Sequence, residues 1–364
     1  MIDISHKIKA NDEDWFVAGF IARLRYRLYI SKQPVQPFFS FEKKFYKSLS
    51  LNKSCAHKFI TMSPTEMENI VDSTIFKKYR LFFLLCLPKD IRHSKAFGFH
   101  TYREFKNLPR DTCGISIDDL SEQVRERAIK LFDYDYFSKK SDNSLGIPNW
   151  GAYELAKRTM PEACPFCNTQ SNKLIIIDGQ EKARPALDHY YCKSKYPFFR
   201  VSLRNLISSC TTCNSAFKQE KDFINTPHLS PYEGTLIDNY SFKILPVSTS
   251  VVDIWNDISA GNRITKKDFI ITLEPIFSDL RMDNNLNTFQ ISAQHDATKA
   301  QNINFISKLA KTTKPQLEQL VDILNASSLE ECARMHLEIP EKDKISDIVF
   351  GAMRYRMYED YIAD

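Results

Sequence analysis

Two closely spaced cysteine pairs lie near the middle of the chain, Cys164-Pro165-Phe166-Cys167 and Cys210-Thr211-Thr212-Cys213. One C-x-x-C pair alone is also compatible with a redox role. Two pairs instead predict a tetrahedral zinc site, in which each sulfur lies about 2.3 Å from the ion. Because four cysteines leave zinc no open position, we expect this ion to be structural. The remaining cysteines are scattered and are expected to be small buried side chains: Cys55, Cys86, Cys113, Cys192 and Cys332.

Polar residues capable of acid–base and metal chemistry lie between and just after these pairs. Asp188-His189 lies between them, Asn205 precedes the second pair, and Asn214 and Lys218 follow it. Taken alone, Asp-His is a common dipeptide with a structural role by default. Taken in order, C-x-x-C, Asp-His, Asn, C-x-x-C-Asn and Lys resemble the HNH endonucleases, the zinc-knuckled branch of the ββα-metal nucleases. The resemblance covers roughly residues 164–222, under a fifth of the chain.

The resemblance implies a role for each matching position. His189 corresponds to the general base, and Asp188 corresponds to a ligand of the catalytic divalent ion. Asn205 would steady the loop that holds the base. Asn214 corresponds to the second metal ligand, where the family has His or Asn. An amide oxygen at that position suits Mg²⁺ or Mn²⁺ better than zinc.

These residue types also fit phosphodiester hydrolysis on chemical grounds. A neutral imidazole, with an unperturbed pKa of about 6.5, can accept a proton from water at pH 7. A cation held by Asp188 and Asn214 can act as a Lewis acid on the leaving 3′ oxygen. Successive side chains of a strand point to opposite faces. We therefore expect the strand to end at Asp188-His189, so that both side chains can share one site.

Basic residues surround this motif. The segment from Tyr190 to Lys218 contains no Asp or Glu, and its cations are candidates for contact with a phosphate backbone: Lys193, Lys195, Arg200, Arg204 and Lys218. For Lys218, a solvated helix charge is an equally good interpretation.

A second basic stretch lies near the start of the chain. Residues 15–60 carry many Lys and Arg against Glu42 alone, including Arg23, Arg25 and Arg27. This pattern predicts a second nucleic-acid surface. A solvated helix face, or a face for an acidic partner protein, would give the same pattern.

The elements that position these residues predict an α+β fold. We expect a mostly helical, basic region over residues 1–150, an HNH module with a four-cysteine zinc site over 151–245, and a helical region over 246–364. The N-terminal helices are predicted near residues 14–30, 76–87 and 116–132. Residues 24–30 also alternate as a strand would, and the acidic residues ahead of Trp15 favour the helix. Three C-terminal helices are predicted to begin at Asp296, Pro315 and Ser327, with Asp296 and Ser327 as N-caps. A last helix is predicted to end near Tyr361.

Composition excludes several other classes. The 9 glycines form neither a G-x-G-x-x-G motif nor a P-loop, so a dinucleotide fold or a built-in ATPase lacks its phosphate-binding loop. The longest apolar run, residues 81–87, is too short to span a membrane. Since no secretory leader is recognisable and the odd number of cysteines disfavours a disulfide scaffold, we expect a cytoplasmic protein without a membrane partner.

The sequence therefore predicts a metal-dependent endonuclease that hydrolyses DNA, with Zn as structural cofactor and Mg or Mn as catalytic cofactor. By analogy with the family, we expect a role in bacterial anti-phage defence, with a companion ATPase or sensor protein and a homo-oligomer as a further option. A non-catalytic zinc-knuckle module that binds nucleic acid or protein is the rival from another class. An RNA-directed nuclease is equally compatible with the motif.

Overall fold

Helices build the N-terminal part of the molecule in the computed structural model, which describes residues 1–139, 146–147, 149–247 and 254–361. The linker predicted over residues 138–149 lies largely outside these described residues. The helices are α1 (Ala10–Arg25), α2 (Ser40–Leu51), α3 (Lys53–Ile60), α4 (Pro64–Glu68), α5 (Thr74–Cys86), α6 (Lys89–Arg92), α7 (Gly98–Phe105), α8 (Ile117–Leu131), α9 (Tyr134–Phe137) and α10 (Ala152–Thr159).

Local capping explains where several of these helices begin. Ser73 and Ser116 cap α5 and α8, because each hydroxyl accepts a backbone N–H of the first turn at 3.1 Å. The helix predicted near residues 14–30 is confirmed rather than a strand. It continues beyond α1 as one wider, π-helical turn over Tyr26–Ile30.

Strands and a short helical turn form the segment that carries the cysteine pairs. β1 (Ile175–Ile177) pairs with β2 (Gln180–Ala183), and β3 (Ala186–His189) pairs antiparallel with β4 (Leu206–Ser209). A π-helical turn over Thr212–Lys218 follows β4. β3 ends at His189, as expected, but Asp188 and His189 both still pair with β4. That the two side chains share one site therefore stays a prediction.

The C-terminal part contains a sheet as well as helices, which corrects the expectation of helices alone. The elements are β5 (Tyr240–Pro246), α11 (Ile254–Ser259), β6 (Phe269–Pro275), α12 (Leu280–Phe289), α13 (Ile291–Ala297), α14 (Ile303–Lys311), α15 (Lys314–Ile323), α16 (Leu329–Leu337) and α17 (Gly351–Tyr361). β5 and β6 pair antiparallel, and Phe242 and Ile244 of β5 are buried at the alternating spacing typical of a strand.

Two of the predicted helix starts are also wrong in detail. Asp296 lies inside α13 and does not cap a helix. Its carboxylate accepts the Ile271 N–H of β6 at 2.8 Å. The cap of α16 is Ser328, one residue after the predicted Ser327, whose N–H instead donates to Glu331 at 2.7 Å.

Two large apolar cores organise the molecule. The first joins the N-terminal helices to the cysteine-pair segment, where Phe83 of α5 contacts Phe198 edge to face with 5.0 Å between ring centroids. The second core fills the space between the β5–β6 sheet and the C-terminal helices. The segment boundary predicted after residue 245 falls within β5, and the three-segment division stays a prediction. Among the described residues, no helix combines the length and apolarity needed to cross a membrane.

Candidate functional site

The two cysteine pairs meet in one buried cluster. The sulfur atoms of Cys164, Cys167, Cys210 and Cys213 all lie within 4.8 Å of one another, and all four residues are buried. A tetrahedral zinc site with Zn–S distances of about 2.3 Å requires sulfur–sulfur separations of ~3.8 Å. The four thiols are therefore placed so that they can hold one zinc ion after a small contraction.

Hydrogen-bond donors surround the sulfur atoms, as expected for thiolate ligands. The backbone N–H and the hydroxyl of Thr169 donate to Cys167 Sγ at 3.5 and 3.3 Å. The Cys210 N–H donates to Cys164 Sγ at 3.4 Å, and Gln294 Nε2 donates to Cys213 Sγ at 3.5 Å. These bonds favour negative charge on sulfur, which is the form that binds a metal ion.

The four thiols of the cysteine cluster strongly influence one another's pKa values. Hydrogen bonds from the three neighbouring thiols hold the pKa of Cys167 well below its usual value, whereas burial raises the pKa of Cys164 well above it. A bound cation would remove this competition for protons by stabilising all four thiolates together.

His189 lies at the end of β3 with one ring nitrogen committed to the backbone. Its Nε2 lies 3.0 Å from the carbonyl oxygen of Arg200. Because a carbonyl only accepts hydrogen bonds, Nε2 carries the proton and Nδ1 keeps its lone pair in the neutral ring. The ring packs edge to face on Tyr134 of α9, with 4.3 Å between centroids, and only 7% of the residue is exposed.

Electrostatics keep this imidazole neutral. Burial lowers the pKa of His189 well below 6.5, and the positive charges of Lys193, Lys218 and Arg200 act in the same direction. Three of the basic residues predicted from the sequence therefore lie close enough to influence His189. At neutral pH the ring is in the form that can accept a proton on Nδ1.

Asp188 is more enclosed than a solvent-exposed metal ligand would be. Its Oδ1 lies 3.2 Å from the Nζ of Lys218, and the two side chains are 2% and 1% exposed. Burial raises the pKa of the Asp188 carboxyl above its usual 3.8, and the charge of Lys218 partly offsets this. Within the described residues, Asp188 Oδ2 is buried without a hydrogen-bond partner. An oxygen of this kind fits a metal ligand, because a cation would satisfy it.

Asn205 closes the loop that separates β3 from β4. Its Nδ2 donates to the carbonyl oxygens of Tyr191 and Phe199 at 3.1 and 2.9 Å, and its Oδ1 accepts the Tyr191 N–H at 2.7 Å. The side chain is fully buried, so its amide ties both ends of the loop together. Since Arg200 lies in the same loop, Asn205 indirectly positions the carbonyl that holds His189.

Asn214 is the third residue of the π-helical turn and follows Cys213 directly. Its N–H donates to the Cys210 carbonyl at 3.1 Å, so the second cysteine pair sets its backbone position. Asn214 is half-buried, and its side-chain amide has no hydrogen-bond partner among the described residues. It is therefore available as an oxygen ligand, while Lys218 at the end of the same turn is held on Asp188.

The other predicted basic residues of this segment have varied environments. Lys193 lies over the ring of Tyr134 at 4.8 Å, and Lys195 is half-buried in the same loop. Arg200 is 3.4 Å from the exposed Asp135. Arg204 instead contacts the N-terminal region, where it donates to the Thr61 carbonyl at 2.6 Å and pairs with Glu13.

The three N-terminal arginines also have partners within the chain. Arg23 and Arg27 lie 2.6 and 3.7 Å from Asp133, while the exposed Arg25 donates to the Ser50 carbonyl at 2.7 Å. Asp133 caps α9, whose first residue, Tyr134, packs on His189. Arg23 and Arg27 thus help to hold a neighbour of the site, and their assignment to nucleic acid stays a prediction.

Three further residues contact this site and were not predicted from the sequence: Tyr134, Thr169 and Gln294. Thr169 lies two residues after Cys167. Its position directly after a C-x-x-C pair is the local signal that could have identified it as a neighbour of the sulfur atoms. Tyr134 and Gln294 come from distant elements, so only the tertiary fold brings them to the site.

Comparisons with protein-family models, with curated proteins and with solved structures found no match to this chain.

Proposed function

We propose that this protein is an HNH endonuclease that hydrolyses DNA phosphodiester bonds with a divalent metal ion, leaving 5′-phosphate and 3′-hydroxyl ends. The observation that carries the proposal is the arrangement around β3 and β4. The Asp188-His189 pair ends one strand, Asn205 clamps the loop after it, and Asn214 follows the cysteine pair after the other strand. A module used only for binding requires none of these four polar positions.

The proposed base is the Nδ1 atom of His189. Its lone pair is free to accept a proton from an attacking water, because the Arg200 carbonyl holds the proton of Nε2. Burial keeps the imidazole neutral at pH 7 but also lowers its basicity, so efficient proton transfer requires the site to become more open to solvent. Asn205 keeps the ring oriented through the loop that contains Arg200.

Asp188 and Asn214 are the proposed ligands of Mg²⁺ or Mn²⁺. Such an ion would supply Lewis acidity to the phosphoryl group and the leaving oxygen. Asp188 offers its unpaired Oδ2, and Asn214 offers its amide oxygen. The cysteine cluster has a separate, structural role in this proposal, since its zinc positions Asn214 through the second pair.

The burial of the site supports a regulated enzyme. His189 is 7% exposed, and Asp188 is 2% exposed and paired with Lys218. A phosphodiester needs direct access to both, so the loop around them has to open before cleavage. We propose that a companion ATPase or sensor protein controls this opening, as in an anti-phage defence system.

The same burial favours a second candidate function, a zinc-knuckle module that binds nucleic acid or protein without catalysis. In that case the Lys218–Asp188 pair and the His189 contacts would serve only stability. The two functions differ in one measurable property, which is metal-dependent strand cleavage. RNA and DNA substrates tested side by side also separate the RNA-directed alternative.

The deciding experiment is a plasmid-nicking assay with Mg²⁺ or Mn²⁺ and with EDTA as the blank. His189→Ala should lower the cleavage rate by roughly 10²–10⁴-fold, the usual contribution of a general base. Zinc content and DNA affinity should survive, since neither uses the imidazole. Asp188→Ala should also lose cleavage, and high Mn²⁺ should partly restore it. His93→Ala is the matched control, because His93 is exposed and lies outside the site.

A folded, zinc-loaded His189→Ala protein that cuts at the wild-type rate would remove the proposed mechanism. Absence of any metal-dependent cleavage by the wild-type protein, with its companion protein supplied, would favour the binding module.

A further inference from the structure

A basic cleft lies between α2 and α5, well apart in sequence from the β3–β4 site. It has a volume of about 840 Å³. We call it the α2–α5 cleft and define it by its charged residues: Lys44, Lys47, Lys77, Lys78, Arg80 and Glu104. Five of these side chains are cationic and one is acidic, so the cleft is a concentrated positive surface.

The acidic residue of the cleft is in an ion pair, whereas the four lysines of the cleft are not. Glu104 pairs with Arg80 at 2.6 Å. The four lysines are exposed, and none of them has an ion-pair partner in the described part of the chain. Unpaired cations held close together attract a multiply charged anion, because binding it relieves their mutual repulsion.

Two helices contribute these lysines to the lining of the cleft. Lys44 and Lys47 lie three residues apart on α2, a spacing that puts them on one helix face with about 5–6 Å between Cβ atoms. Lys77 and Lys78 belong to α5. The two helices are fixed to each other beneath the cleft, where Phe45 and Phe82 stack with 4.1 Å between ring centroids. This packing holds the two helices that carry the lysines against each other.

We propose that the α2–α5 cleft binds the phosphate backbone of a nucleic-acid strand. Sites for small phosphorylated ligands are enclosed and rely on a few converging polar groups, often backbone N–H groups. Here the charged groups are flexible lysines at an open mouth, which suits a polyanion that releases counterions on binding. Half-buried Phe41 and Tyr79 line the floor and add apolar contact area.

The packing of α5 links the α2–α5 cleft to the β3–β4 site. α5 carries Lys77 and Lys78 into the cleft, and its Phe83 packs on Phe198 in the loop between β3 and β4. The same loop contains the Arg200 carbonyl that orients His189. A strand bound in the cleft thus lies on the helix that supports this loop. That the strand is also the substrate rests on the proposed function, whereas binding in the cleft does not.

The test measures binding without requiring cleavage. A variant with Lys44, Lys47, Lys77 and Lys78 all changed to Ala is compared with a control variant in which Lys266, Lys267, Lys311 and Lys314 are changed to Ala. The control lysines are likewise exposed and without ion pairs among the described residues. Fluorescence anisotropy follows labelled duplex and single-stranded DNA of about 30 nucleotides, over a range of salt concentrations.

The cleft variant should bind DNA at least about tenfold more weakly than the control variant near 100 mM salt. The slope of log K against log salt concentration should be less negative by roughly three for the cleft variant, because each phosphate contact contributes about 0.7–0.9 to that slope. Affinity and slope equal to those of the control variant would overturn the proposal. Binding of ATP that is tighter than binding of DNA, and is lost in the cleft variant, would also overturn it in favour of a small ligand.

The two proposals fail separately in these measurements. If the wild-type protein never cuts DNA even with its companion protein supplied, but the cleft variant loses binding, the cleft proposal stands and the nuclease proposal fails. If the protein cuts DNA and the cleft variant binds like the control variant, the outcome is reversed.

Discussion

Lys218 occupies a central position among the residues of the site. Its ammonium group donates to the carbonyl oxygen of His189 at 2.6 Å and lies 3.2 Å from Asp188 Oδ1. Both charged side chains are almost completely buried, so each compensates for the loss of hydration of the other. From the sequence, Lys218 was expected to reach a phosphate or to stand in solvent. In the structure it connects the π-helical turn to the end of β3.

At this scale we predict that Lys218→Met lowers the free energy of unfolding by about 3 kcal/mol, because it leaves a buried carboxylate without its cation. Adding Asp188→Asn should recover part of this loss, since the neutral amide no longer needs a counter-charge. Urea unfolding of zinc-loaded protein measures both values. Lys221→Met is the control, because Lys221 is exposed, and its change should stay within about 0.5 kcal/mol. A Lys218→Met protein as stable as wild type would show that the pair contributes nothing.

Among the elements, α1 depends on a close approach that only glycine permits. Gly19 faces the indole of Trp150, and a Cβ atom at Gly19 would lie 1.9 Å from Cδ1 of that ring. The Trp150 Nε1–H donates to the Phe16 carbonyl at 3.1 Å, one turn earlier on the same helix. Trp150 thus anchors the start of the cysteine-pair segment against α1, and α1 carries Arg23, which pairs with Asp133.

We predict that Gly19→Ala destabilises the protein by about 1–3 kcal/mol, because the indole has to move, although alanine is the better helix former. In a Trp150→Ala background the same change should instead stabilise the protein by up to about 1 kcal/mol, since only helix propensity then remains. Thermal or urea unfolding of the four proteins in this double-mutant cycle gives the coupling energy. Equal effects in both backgrounds would mean that the indole does not restrict residue 19.

At the scale of the whole molecule, the first cysteine pair joins distant parts of the chain. The Ile2 N–H donates to the Pro165 carbonyl at 2.7 Å, and the Phe350 N–H donates to the Asn168 carbonyl at the same distance. The Asn168 side chain also accepts the Ala352 N–H at 2.9 Å. A metal ion in the cysteine cluster would therefore support contacts made by residues 2 and 350–352, and not only the segment between the two cysteine pairs.

We predict about one zinc ion per chain, and its loss in Cys164→Ser. Removing the ion should lower hydrogen-exchange protection in the two cysteine pairs and also around residues 345–352. The reason is that metal binding supplies folding free energy to the segments packed on the cluster. Elemental analysis and hydrogen exchange measure the two effects. Cys113→Ser is the control, since Cys113 is exposed and far from the cluster in sequence. A zinc-free protein with wild-type protection throughout would contradict this prediction.

Features that depend on local spacing along the chain could be predicted before folding is considered. Each C-x-x-C pair brings two thiols together through one turn of chain, so the cysteine cluster could be predicted before the fold was known. The helices α5 and α8 were predicted from their apolar patterns, and the strand was expected to end at Asp188-His189. In contrast, β5 and β6 were not predicted, because they pair across a long separation in the chain.

The groups that surround the polar residues depend on long-range packing and could not be predicted. The pairing of Lys218 with Asp188, the Arg200 carbonyl on His189 and the contact of Tyr134 with the imidazole all join separate elements. The same holds for the α2–α5 cleft, where Lys44 and Lys77 come from helices that meet only in the folded protein. Sequence spacing specifies residue types and local geometry. Burial, pKa and charge density depend on long-range packing, so they emerge only when the chain has folded.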